Sequence, residues 1–164
     1  MVLEFDKFSK TIFKFDTKAY STQKMEIIEI KLEDKRENSI TTMQVEKLNE
    51  STFKMISNDI FNCKLNFGTE FQTRINKKGN HEIIRITKKS DFERRTFMTS
   101  REYSYAENKE FYEIMGTELV KNGGMWYIDF GGIVTVNIPK NTNFNFDNFL
   151  GDFKMFLTEI VDDE

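Results

Sequence analysis

MWYIDFGGIVTVNIP, residues 125–139, is the stretch on which the reading of the fold turns. It gives two strands around a Gly131-Gly132 turn, with Pro139 ending the second, and a glycine pair between alternating apolar residues is a hairpin signal. Immediately upstream, SYAENKEFYEIMG (104–116) has the punctuation of a helix. Ser104 stands at the N-cap, Glu107 three residues on completes a capping box, and Gly116 supplies a stop, with Phe111, Ile114 and Met115 as the apolar face. RRTFMTS (94–100) before the helix reads as a strand, TELV (117–120) as a further short strand, and KNGG (121–124) as a turn. Downstream, from Asn145 to Ile160, residues Phe149, Phe153, Phe156, Leu157 and Ile160 recur at helical spacing and predict a C-terminal amphipathic helix. The order is then β-α-β-β(-β)-α, which suits two helices on one face of an antiparallel sheet.

The first half carries a different rhythm. MEIIEIKL (25–32), ITTMQVEKL (40–48), FKMI (53–56), FNCKLNFG (61–68), EFQTRI (70–75) and HEIIRI (81–86) are short strands at close spacing, separated by Asn- and Gly-bearing turns. That pattern predicts a small twisted sheet or barrel. Residues 1–24 form an aromatic arm containing Phe5, Phe8, Phe13 and Phe15. The expected fold is therefore α+β: a β-rich, barrel-like N-terminal unit (1–92) packed on a C-terminal two-helix/antiparallel-sheet unit of ferredoxin-like character (93–164). No Pro/Ser/Gly-rich linker separates the two.

Composition narrows the chemistry. The chain has 164 residues, 17 Phe, one His, one Cys and one Pro, with 38% hydrophobic and 31% charged residues. One His and one Cys exclude a His/Cys zinc site and an internal disulfide. Neither GGMW nor FGGI is a dinucleotide fingerprint, and no GKS or GKT triplet marks a P-loop. No cofactor or metal is expected, and no run of 18 apolar residues points to a membrane. The opening MVLEFDKFSK carries acids and lacks a signal-peptide core, and the lone Cys63 fits a reducing compartment, so the expected location is cytoplasmic.

The net charge of −3 conceals a strong asymmetry. Residues 74–101 hold nine basic against three acidic residues (net +6), and residues 102–164 hold twelve acidic against four basic (net −8). The basic segment, with Arg85, Lys88, Arg94 and Arg95, is the feature a weak nucleic-acid module would use. The acidic whole and the missing aromatic pair of an RNA-binding motif argue against that use.

Catalysis has few candidates. His81 opens a strand with only Glu82 and Asp91 near in sequence, and Cys63 alternates with Phe61, Leu65 and Phe67 as a small core hydrophobe. Acids are plentiful, and a carboxylate-based enzyme of unknown substrate is the alternative reading. The favoured one is a non-enzymatic, protein-binding module. Glu110 and Glu113 lie three apart on the expected helix, Tyr127 and Asp129 share one strand face, and Trp126, Phe144 and Phe146 cluster around the hairpin and the NTNFNF loop. Aromatics set among acids anchor interfaces and attract a basic partner. Such a small, acidic, cofactor-free chain has the character of an immunity protein, whose partner would be a basic toxin. Homodimerisation is a further expectation from so much aromatic surface.

Several segments resemble a bacterial family of small proteins, the domain of unknown function numbered 4265. They are VEKLNESTFKMISNDIF, LNFGTEF, HEIIRI, KKSDFERRTF, a helix ending in MG, and VTVNIPKNTNFNFDNFL, which together span roughly residues 40–150. The resemblance implies a two-part bacterial α+β protein and no particular activity. Where the family has an acid directly after a glycine, this chain reads Gly68-Thr69-Glu70, which weakens the transfer of any acidic function.

Overall fold

The computed structural model describes residues 25–36, 38–59, 64–99, 102, 105–106, 108–151 and 156–161. The aromatic arm 1–24, Phe61, Cys63, the capping pair Ser104 and Glu107, Phe153 and the acidic end 162–164 lie outside the described residues.

The first sheet is a meander of five strands: β1 (Ile27–Asp34), β2 (Ser39–Lys47), β3 (Thr52–Met55), β4 (Glu70–Ile75) and β5 (His81–Lys88). Period-2 alternation sends Ile30, Leu32, Met43, Val45, Phe53, Met55 and Phe71 into one core, joined by Leu65. The turns follow local chemistry. Asn49 accepts the N–H groups of Ser51 and Thr52 through its side chain, and Asn76 does the same for Lys78 and Asn80 around Gly79 at φ +82°.

Two features correct the barrel-like expectation. An odd number of strands in an antiparallel meander leaves the first and last parallel, so β5 returns to β1 through the single parallel pair Leu32↔His81 and no extended ladder joins them. The stretch expected as a strand at 61–68 contributes none among its described residues. Residues 64–69 are turns and irregular chain, Gly68 sits at φ +81°, and Phe67 leaves this core to set its ring against Phe92 at 4.8 Å.

The second sheet has the order β7-β8-β6-β9, built from β6 (Phe92–Met98), β7 (Met125–Asp129), β8 (Ile133–Pro139) and β9 (Thr158–Ile160), all antiparallel. Two helices, α1 (Lys109–Lys121) and α2 (Phe146–Gly151), belong to this half. Phe97, Val134, Val136 and Ile138 form a second core with Phe111, Tyr112, Met115 and Leu119 of α1, and Phe146 and Leu150 of α2.

The expected helix from 145 to 160 is corrected to the six residues of α2 followed by β9. The free side of β6 takes Thr158–Ile160 as a strand, with Phe97 opposite Glu159, and ladder pairing overrides the helical spacing. Phe156 and Leu157 still reach the same core, Phe156 stacking on Phe111 at 4.8 Å. The chain order is thus β-α-β-β-α-β.

Helix α1 is corrected at both ends. It starts after Asn108, which spends its side-chain amide on the Glu102 carbonyl instead of a cap bond. It runs through Gly116 and absorbs TELV, the expected strand. The stop is Gly123 at φ +77°: Gly123 N–H donates to the Val120 carbonyl and Gly124 N–H to the Leu119 carbonyl, a Schellman ending.

Candidate interaction surface

Helix α1 buries Phe111, Tyr112, Met115, Gly116 and Leu119 at steps of three and four, which turns Glu110, Glu113, Ile114, Thr117 and Glu118 outward. These five share one open face of the helix. Ile114, 42% exposed, lies at its centre among three carboxylates. Glu113 is bonded by Lys109 at 3.4 Å and Glu118 by Lys121 at 3.4 Å, both solvent-open pairs along the helix. Such pairs hold side-chain direction weakly and contribute about 0.3–0.5 kcal/mol each.

The other residues singled out from the sequence do not join this face. Trp126 lies beneath α1, stacked on Tyr112 at 6.0 Å, and packs on the second core. Phe146 is buried and Phe144 is half-buried against it, with Phe149 as the third ring. Phe146 thus belongs to the core, and Trp126 and Phe144 are partly buried against it. Tyr127 and Asp129 alternate to the opposite side of the sheet, away from Trp126 and Ile128. The hydroxyl of Tyr127 accepts from Asn58 Nδ2 at 2.8 Å, across to the first half of the chain. Burial pushes the Asp129 carboxyl up and the Arg94 charge partly offsets it. Burial likewise pushes the Tyr127 hydroxyl up, against the bond from Asn58.

The four basic residues also part company. Arg85 bonds the Gln72 side chain, and Lys88 pairs with Asp91 at 2.6 Å. Arg94 and Arg95, adjacent in β6, point to opposite faces of the sheet. Arg94 Nη1 donates to the Asp59 carbonyl at 3.0 Å and to Asn66 Oδ1 at 3.4 Å. Arg95 forks onto Glu159 with two bonds of 2.7 Å, reaches Asp147 at 2.7 Å, and lies over the rings of Phe97 and Phe146.

His81 does not meet a carboxylate partner suited to catalysis. Its Nδ1 lies 2.8 Å from Thr73 Oγ1, its ring stands edge-on to Phe53, and burial lowers its basicity. Glu82 is turned the other way and is held down to about 2 by hydrogen bonds from Lys35 first, then Asn76 and Arg74. It closes a polar network with Glu33, which takes bonds from Asn76, Asn80 and Lys78. Both acids brace the place where β5 meets β1. Among the described residues no cluster of three or more His, Cys, Asp or Glu could hold a metal, and no helix is long and apolar enough to cross a membrane.

Sequence reasoning passed over the most exposed aromatic in the described structure. Phe130 is 77% exposed at the β7–β8 loop, with φ +51°. A Phe in the left-handed region is rare, and only its neighbour Gly131 signalled a turn there.

No family model and no curated protein matches this chain. A crystal structure of a hypothetical protein from Neisseria gonorrhoeae is similar at 12% identity and a TM-score of 0.46, covering 82% of this chain and 92% of that one.

Proposed function

We propose that this protein is a binding module, an immunity-type inhibitor acting in the cytoplasm, which occludes a basic toxin or enzyme through the outer face of α1. The observation that carries this reading is the open face of α1, where exposed Ile114 stands among Glu110, Glu113 and Glu118. An apolar centre desolvates on contact, and the acidic excess of the face, three carboxylates with Lys109 and Lys121 beside two of them, favours a partner of opposite sign. Phe146 is buried and adds nothing to such a contact, whereas Trp126 and Phe144 keep part of their surface outside the core.

The test is capture of a partner from the native host at physiological salt, repeated with Glu110→Lys/Glu113→Lys and with Ile114→Asp. A basic protein retained by the wild type, released by rising salt and lost with either variant supports the reading. Equal retention by wild type and both variants overturns it.

A further inference from the structure

The acidic face of α1 has a counterpart of opposite sign on the first sheet. On β5 the register shifts opposite Gln72 and Thr73, so that Ile83 and Ile86 pack on the first core while Ile84 and Arg85 between them face outward. The pairs Arg74↔Glu82 and Gln72↔Arg85 set Ile84 between two rows that each carry an arginine. Ile84 is 55% exposed, and Arg74 and Arg85 beside it are open to solvent. Glu82, the acid within this face, is covered by Lys35 and Arg74, which are themselves exposed. Farther along the strand, Lys88 is balanced by Asp91 and by Glu70 opposite it. What a partner meets around Ile84 is therefore cationic: Lys35, Arg74 and Arg85.

The two faces match in pattern and oppose in sign. On α1 a single exposed isoleucine stands among Glu110, Glu113 and Glu118, and on β4–β5 a single exposed isoleucine stands among three cations. They lie on different halves of the chain, and every copy carries both. A net charge of only −3 puts little general repulsion between copies.

We infer that this protein associates with further copies of itself head to tail, the outer face of α1 in one copy seated on the Ile84 face of β4–β5 in the next. Ile114 meets Ile84, and the three glutamates face Lys35, Arg74 and Arg85. The inference rests on the reading of α1 as a docking face and gives that face a second occupant. Because the two surfaces differ, the contact does not close as a two-fold dimer, and each copy leaves one face open for another. The charges are solvent-open and the apolar centre is small, so the association is weak and sensitive to salt. A copy whose α1 is covered in this way is held in reserve until a tighter basic partner displaces its neighbour.

Sedimentation equilibrium of the purified chain tests it. At low salt the weight-average mass should rise at least about 1.5-fold between about 1 µM and about 1 mM protein, the range in which weak association is read. It should return to that of the monomer in about 1 M NaCl, where the screening length is about 3 Å. Glu110→Lys/Glu113→Lys and Arg74→Glu/Arg85→Glu should each be monomeric. Their equimolar mixture should associate again, because opposite signs then face each other in every contact between unlike copies. A wild type that stays monomeric, a mixture that stays monomeric, or a mass indifferent to salt and to both reversals overturns the inference. Should Arg74→Glu loosen the Glu82 bonds enough to prevent folding, Arg85→Glu alone, which gives up its bond to the Gln72 side chain, is judged by the same outcomes. Failure here leaves capture of a basic partner to its own experiment: Arg74→Glu/Arg85→Glu keeps the α1 face intact and should retain such a partner as the wild type does.

Discussion

Gly116 lies flat against the indole of Trp126. A Cβ built on it would overlap the ring nitrogen and stand 2.7 Å from Cε2. The glycine does not end α1; it lets the helix settle onto β7 with the one Trp of the chain between them. Replacing Gly116 with Ala should therefore destabilise the protein by about 1–3 kcal/mol through overpacking. That loss exceeds the helix-propensity gain of about 1 kcal/mol that the same change brings at an open site. Urea unfolding followed by Trp126 fluorescence measures it, and a stabilised variant would mean that the ring moves freely.

Glu82 makes stability depend on acid. Its carboxyl is held at about 2 in the folded protein against an ordinary value of 4.5, so its contribution is complete above 4.5 and disappears as pH falls toward 2. Glu82→Gln should lower Tm most at neutral pH, and the two melting curves should converge in acid. Parallel curves over the whole range would show that the Lys35, Asn76 and Arg74 bonds contribute nothing net.

Asp129 has the opposite sign. Burial raises its carboxyl above the usual range, so stability is lost as pH rises from the ordinary carboxylate value through the folded-state value, and the loss is complete above it. Asp129→Asn is expected to raise Tm at neutral pH and to match the wild type near about pH 3, where both carry a neutral side chain. A lower Tm at neutral pH would place Arg94 as a true ionic partner instead of a distant offset.

Arg95 holds the end of the second sheet. With 14% of its side chain exposed, it bridges Asp147 of α2 and Glu159 of β9. Arg95→Met is expected to cost about 1–2 kcal/mol, less than a fully buried pair because both acids remain open to solvent. Its signature is local: amide exchange should accelerate in Thr158–Ile160 before it does in β8. A double-mutant cycle with Glu159→Gln isolates the pair.

The strands were legible where alternation and turn chemistry agreed. Ile28, Ile30 and Leu32 in β1, Met43 and Val45 in β2, and the Asn76–Asn80 turn all follow from short-range pattern. What escaped detection depended on distant partners. Gly116 reads as a stop until Trp126 is known to lie against it, and Leu157 and Ile160 read as a helical stripe until β6 offers them an unpaired edge. The acidic part of the candidate surface was visible as Glu110 and Glu113, since helix spacing alone puts them on one side. Its apolar centre was not, because Phe111, Ile114 and Met115 read as one apolar stripe in the sequence, and the exposure of Ile114 is fixed by where Phe111 and Met115 point.

The single pair Leu32↔His81 is the most non-local strand contact of the first half. Every other strand contact there joins strands consecutive in the chain, whereas this one brings together positions 49 residues apart (81 less 32). A contact of such separation must meet its loop-closure entropy before it gains anything, so it is the costliest of the first half to make. The bonds that Glu33 and Glu82 collect at that point secure the contact once it is made.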